Sequence, residues 1–316
     1  MVPKITIITP TYDHQAFISK CIQSVISQNY QDWEQIIVDD ASSDKTYEIA
    51  SKFAHKDKRI KIIRHKKNWG ITKLADSYNQ ALNKAGGKYI AILEGDDFWP
   101  KDKLERQISM IEKSGAVFSY GDSIMTDSSG LPIKIFTYDY ARDALNNNPT
   151  GSILPLFATL KFSIIPVTAM IKTSVLKDIG GFQKDNYYPF TDIPTFLALS
   201  LRGNFLYIND VLGYYRKQQN SSWFRFASKT RSMGKEEVQK CFNNFLLLNK
   251  KNPRAKKLLK MKSMLQNSQA KLINNKWLTK PISIFLNSSA FRGGTNPLFA
   301  IFVFQYATYK FKKLFK

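Results

Sequence analysis

Apolar and polar residues alternate along this chain with two different periods. Four short β-branched runs, at residues 4–9 (KITIIT), 35–39 (QIIVD), 60–64 (IKIIR) and 89–93 (YIAIL), read as strands. Between them the period lengthens. Ile18, Ile22, Val25 and Ile26 fall at i, i+4, i+7 and i+8, the spacing of one buried helix face. Residues 47–55 and 71–85 fill the next two gaps with helical patterns, the second stopped by Gly86 and Gly87. Strand and helix alternating at this spacing predict right-handed crossovers and a largely parallel sheet covered on both faces, an α/β fold.

Beyond residue 100 the alternation loosens. A helix is predicted over 101–113, and a strand with a turn in AVFSYGDSIMTDSSG. Residues 131–166 read as irregular, with NNNPTGS a loop. A strand, a helix and a turn at Gly180 and Gly181 follow, then a helix in DIPTFLALSLRG. From about Phe224 the patterns are helical, with few strand signals.

Charge changes at the same place. The 316 residues carry a formal net charge of +22. Residues 225–316 hold twenty Lys and Arg against Glu236 and Glu237 alone, a net of +18, which leaves only +4 for residues 1–224. The expected organisation is therefore an α/β domain over 1–224 and a basic helical region over 225–316. Such an asymmetry fits a polyanionic partner surface, nucleic acid or anionic lipid. No residue from 293 to 309 is charged, and PLFAIFVFQYATY within that stretch is shorter than the ~20 apolar residues a membrane span needs. Lys310, Lys312, Lys313 and Lys316 follow, a pattern that suits an interfacial helix on anionic lipid; a helix docked on the first domain is the alternative.

The remaining composition mostly excludes. Cys21 and Cys241 give no disulfide framework or zinc spacing, and His14, His55 and His65 form no ligand cluster. No charged leader with an apolar segment precedes the first strand, so a cytoplasmic location is expected. The dinucleotide fingerprint G-x-G-x-x-G and the phosphate loop G-x-x-x-x-G-K-[ST] are both missing after the first strand, which disfavours dehydrogenases and P-loop enzymes.

The informative residues are acidic and stand where strands end. Asp39 and Asp40 finish QIIV, while Glu94, Asp96 and Asp97 finish YIAIL. Ligands of open parallel sheets bind outside the carboxyl ends of the strands. Carboxylates crowded there repel unless a cation joins them, and an all-oxygen donor set suits Mg2+ or Mn2+ bound together with a diphosphate.

At this point the chain resembles a known family. ITIITPTYDHQAFISKCIQSVISQNYQDWEQIIVDDASSDKT and NWGITKLADSYNQALNKAGGKYIAILEGDDFWP are similar to the motifs of family 2 of the inverting glycosyltransferases, which have the GT-A fold, over roughly residues 3–222. The resemblance implies a nucleotide-sugar donor, most often a UDP-sugar. It implies an acceptor in cell-surface polysaccharide assembly, a glycan or a glycan on a polyprenyl diphosphate. By position it implies that Tyr12 lies beside the base, that Pro10 and Thr11 contact the nucleotide through their backbone, and that Asp40 reads the base with Asp39 next to it. Asp96 then falls near ribose and diphosphate, and Asp97 is the metal ligand; Glu94 stands where many members have Asp. Asp192, in PFTDIPTFLALSLRG, matches the family's general base without the Glu that usually precedes it. Lys73, Arg216 and Lys217 are candidate phosphate contacts, and Trp99 a candidate acceptor contact. Gln218 stands where some members carry a His, and the processive motif Q-x-x-R-W is missing, which implies transfer of single sugars. The rival readings are a sugar nucleotidyltransferase, which would release pyrophosphate, and a basic nucleic-acid-binding protein, for which no recognition motif is present. No nucleic-acid partner is expected; the enzyme is expected on the inner face of the cell membrane.

Overall fold

A computed structural model describes residues 3–218, 221–230 and 234–261, so the expectations for residues 293–316 lie outside the described residues. The four predicted runs are strands: β1 (Ile5–Thr11), β2 (Trp33–Asp39), β3 (Ile60–Arg64) and β4 (Tyr89–Ile92). They are joined by α1 (Ile18–Ile26), α2 (Thr46–Lys56) and α3 (Leu74–Lys84). Next come α4 (Lys103–Ser114), β5 (Phe118–Thr126), β6 (Pro132–Phe136), α5 (Arg142–Leu145), α6 (Leu154–Ala158) and β7 (Met170–Lys172). The series closes with α7 (Thr173–Asp178), α8 (Asp192–Ser200), β8 (Phe205–Arg216), α9 (Ser222–Lys229) and α10 (Lys235–Leu248).

One sheet of eight strands runs β3-β2-β1-β4-β7-β5-β6, with β8 also paired to β5. β1 to β4 are mutually parallel, and so are β5 and β8; β6 and β7 run against their neighbours. Every residue of β1 and β2 is buried, as in a parallel sheet covered on both faces, and the polar members Thr6, Glu34 and Gln35 form hydrogen bonds within it. Ile18, Cys21, Ile22 and Val25 of α1 form part of that cover. Each such aliphatic side chain contributes about 1.5–3 kcal/mol on burial. Gly87 lets the chain entering β4 lie against β1, since a Cβ there would come within 2.7 Å of the Ile5 carbonyl carbon.

Two strands depart from the sequence expectation. β8 lies where no strand is predicted, because its pairing with β5 slips register on either side of Asp122 and its side chains do not keep a period of two. β6 lies within the stretch expected to be irregular and is almost wholly exposed. The chain divides into two compact units, one comprising Met1–Ile153 and Ser163–Cys241, the other Leu154–Phe162 and Phe242–Lys316. The whole sheet belongs to the first unit. Among the described residues no helix is long and apolar enough to cross a membrane.

Candidate active site

Parallel strands end together, so the residues after β1, β2, β4 and β8 meet at one edge of the sheet. Thr11 and Asp39 are register partners at the ends of β1 and β2. The Asp40 amide donates to the Thr11 carbonyl at 3.0 Å, and the Gly95 amide to the Pro10 carbonyl at 3.0 Å. The end of β1 is therefore stitched to both acidic segments. Gly95 permits this approach: a Cβ there would stand 2.7 Å from Thr11 Cβ and 2.9 Å from His14 Nδ1. Pro10 and Thr11 are buried, with their carbonyls already engaged. Each carbonyl keeps a second lone pair, and the two residues join the loops on either side.

Glu94, Asp96 and Asp97 each offer a carboxylate oxygen within 4.8 Å of the others. Arg216, the last residue of β8, donates its amide to Asp97 Oδ1 at 2.8 Å and its Nε to the Asp96 carbonyl at 2.7 Å. Gln218 Nε2 donates to Asp96 Oδ2 at 2.7 Å, and the Tyr78 hydroxyl to Glu94 Oε1 at 3.0 Å. Burial, followed by the nearby Asp96, pushes the Glu94 carboxyl up to about 8. Burial, Asp96 and Glu94 likewise drive Asp97 well above the usual carboxylate range, and Arg216 only partly offsets this. Carboxylates that burial drives toward protonation, with no His or Cys among them, are suited to a hard divalent cation.

Asp40 is occupied in a different way. Its Oδ1 accepts from the Trp69 amide at 2.8 Å and lies 2.7 Å from His65 Nδ1, while Oδ2 accepts from the Gly70 amide at 2.9 Å. Oδ2 thus keeps one lone pair for an outside donor. Tyr12, 36% exposed, lies close enough to Asp13, Arg225 and Asp40 for their charges to act on its hydroxyl. Asp39 faces inward: it is fully buried and bound to the Ser42 amide and to Arg64.

Asp192 opens α8, whose N-cap position is Thr191. Its Oδ1 is buried with no hydrogen-bond partner among the described residues, and its other interactions include the Tyr188 hydroxyl and the Ile193 amide. Burial raises the Asp192 carboxyl to about 6. Its charge acts in turn on Glu94 and Tyr78, so it shares the neighbourhood of the acidic cluster. A buried carboxylate oxygen that no described residue engages can take a proton from something else.

Two further expectations are corrected. Trp99 is 4% exposed; its Nε1 donates to the Val167 carbonyl at 2.8 Å, and Lys103 Nζ sits 3.9 Å from its ring centre, so it is core rather than an acceptor contact. Arg216 is 2% exposed, with Nη1 donating to the Ser128 carbonyl at 2.8 Å and its guanidinium over Phe17 and Phe98, so it braces the acidic loop and does not reach toward a phosphate. Lys217 and Lys73 are exposed. Tyr78, Tyr188 and Arg225 carry no signal in the sequence that links them to the site; only the fold brings them there.

The comparisons with known proteins agree with this geometry. The model of "Glycosyl transferase family 2" matches residues 6–180, more than half of the chain. The glycosyltransferase TuaG of Bacillus subtilis strain 168, which its name assigns to teichuronic acid biosynthesis, is 33% identical over 227 residues, covering 69% of this chain and 81% of TuaG. Escherichia coli WfgD, a UDP-Glc:alpha-D-GlcNAc-diphosphoundecaprenol beta-1,3-glucosyltransferase, is 41% identical over 127 residues, covering 40% of this chain and 48% of WfgD. Among solved structures, S. aureus TarS 1-349 in complex with UDP-GlcNAc superposes with a TM-score of 0.57 at 19% identity, over 79% of this chain and 74% of that one. The mannosyltransferase PcManGT of Pyrobaculum calidifontis, in complex with GDP-Man and Mn2+, gives 0.52 at 15% identity, over 98% and 87%. The fold shared with these structures is the GT-A fold.

Proposed function

The chain belongs to glycosyl transferase family 2, and from that premise we propose that it transfers a single sugar, with inversion, from a UDP-sugar to a hydroxyl of a lipid-linked glycan in cell-surface polysaccharide synthesis. The observation that carries the reading is Asp192 Oδ1, a buried carboxylate oxygen with no partner among the described residues, beside a cluster of three acids. TarS with its UDP-GlcNAc supports the class of donor, and WfgD with its diphosphoundecaprenol acceptor the class of acceptor.

An alcohol is a weak nucleophile until its proton is removed. Asp192, raised to about 6, is ionised at neutral pH yet basic enough to accept that proton as the oxygen attacks the anomeric carbon. The Tyr188 hydroxyl and the Ile193 amide orient it. On the donor side Tyr12 offers a ring beside the base, and Asp40 Oδ2 its remaining lone pair to a base N–H. Asp97, with Glu94 and Asp96 beside it, would hold Mn2+ or Mg2+; when bound, the ion offsets the charge developing on the leaving diphosphate. Gln218 and Arg216 keep Asp96 and Asp97 in place. Lys73 and Lys217, both exposed, are the cations placed to meet phosphate. The basic region over 225–316 holds the enzyme on the cytoplasmic face of the membrane. Product analysis tests the class: release of nucleoside diphosphate with a new glycosidic bond supports it, and release of pyrophosphate would make the protein a nucleotidyltransferase.

A further inference from the structure

β6 ends the path of the sheet and pairs only with β5. Leu131, Ile133 and Ile135 are 67%, 54% and 58% exposed, and residues two apart along a strand share a face. Three large aliphatic side chains thus stand in a row in water. The row begins beside the acidic site: the Ser128 carbonyl, in the turn before β6, accepts from Arg216 Nη1, and the Lys217 amide donates to the Thr126 carbonyl at 2.8 Å. Lys20 Nζ lies 2.6 Å from where a Cβ on Gly130 would stand, under the same turn. Lys20, Lys134 and Lys217 are all exposed. The one carboxylate in the turn, Asp127, is bound internally, with Oδ1 accepting from the Ser129 hydroxyl and the Gly130 and Leu131 amides.

We propose that the β5–β6 hairpin is a membrane-contacting edge. Leu131, Ile133 and Ile135 enter the interface of an anionic bilayer while Lys20 and Lys134 lie against its phosphates. Apolar side chains rimmed by lysines that outnumber the one charged carboxylate of the turn are complementary to such a surface. Strand pairing with a second copy fits less well, because Pro132 and Lys134 blunt the edge. The contact would set the acidic site at the depth where the head of a lipid-linked acceptor is presented; it rests on that reading of the acceptor.

Cys21 and Cys241 are buried, so Ile133→Cys in the full chain offers one accessible thiol for an environment-sensitive dye. Lys58→Cys, exposed on the loop entering β3 at the opposite edge of the sheet, is the control. Vesicles of phosphatidylcholine with phosphatidylglycerol are expected to shift the dye at 133 to the blue and leave the dye at 58 unchanged. Leu131→Ser, Ile133→Thr and Ile135→Thr combined are expected to raise the KM for a long-chain lipid-linked acceptor roughly tenfold, with turnover of a short soluble analogue unchanged. An unshifted dye at 133 on vesicles that pellet the protein overturns the proposal, as does a wild-type dimer that the combined substitutions dissolve. Failure to use any lipid-linked acceptor, with transfer to a soluble glycan intact, would instead sink the acceptor reading while the dye still reports on the hairpin.

Discussion

The backbone amide of Arg216 donates to Asp97 Oδ1 at 2.8 Å, so a strand ending 119 positions later in the chain orients the carboxylate proposed to hold the metal. The donor is an amide, so side-chain substitution at 216 leaves it in place. Asp97 itself is the group to remove. Asp97→Ala is expected to abolish Mn2+- or Mg2+-dependent binding of nucleoside diphosphate, measured by calorimetry, with an unchanged circular dichroism spectrum. Metal-dependent affinity equal to that of the wild type would reject the assignment.

Asp192→Asn is expected to keep donor affinity near that of the wild type and to lower transfer by roughly 10²–10⁴-fold, the usual worth of a positioned base. With the carboxyl at about 6, wild-type turnover is expected to rise with pH through that region as the base ionises. The pH profile of kcat checks this, and residual activity in Asp192→Asn that lacks the limb confirms where the limb originates.

The same residue makes a prediction about stability, with the opposite sign to that of a salt-bridged carboxylate. Its carboxyl is raised to about 6 from an ordinary 3.8. Between those values the folded state binds a proton that the unfolded state has released, so stability falls as pH rises across the window. The loss is about 3 kcal/mol at most. Asp192→Asn escapes it, so its thermal midpoint is expected to exceed that of the wild type at pH 7 and to match it near pH 3.5.

Gly95→Ala tests how tightly β1 and the acidic loop are stitched. The added methyl would stand 2.7 Å from Thr11 Cβ, so the loop must move or the strand end must yield. A destabilisation of about 1–3 kcal/mol in urea titration, with weakened metal-dependent donor binding, is the expected result. An unaltered donor affinity would mean that the close approach is incidental.

Trp99→Phe separates core from contact. It removes the hydrogen bond to the Val167 carbonyl, which is left buried without its donor. The expected cost is about 1–3 kcal/mol of stability, with acceptor KM unchanged. A raised KM at unchanged stability would restore Trp99 to the acceptor site.

Local pattern made the first half of the sheet readable. β1, β2 and β4 are paired on both sides, with β3 at the edge against β2, and helices cover them, so their β-branched runs and the intervening helical stripes state the fold directly. The acidic pairs were legible for the same reason, since a strand's end shows in the sequence. β8 was not, because its bulges against β5 spoil any period. Trp99 was misread because an aromatic after an acidic loop looks alike whether it faces a ligand or the Val167 carbonyl, and only tertiary packing decides. Tyr78 and Tyr188 reach Glu94 and Asp192 from a helix and a loop whose own patterns do not mention the site.

The recognisable part of this protein is smaller than its working part. The family match ends at residue 180, yet Asp192, Arg216 and Gln218 all come later, and β8 completes the pairing of β5. A fragment cut at 180 would carry the acidic triad without its brace, without the proposed base Asp192 and with an open β-edge prone to sticking. Residues 181–241 of the sheet-bearing unit therefore carry the proposed base and the brace of the acids together, so any exchange of that stretch between proteins moves both at once.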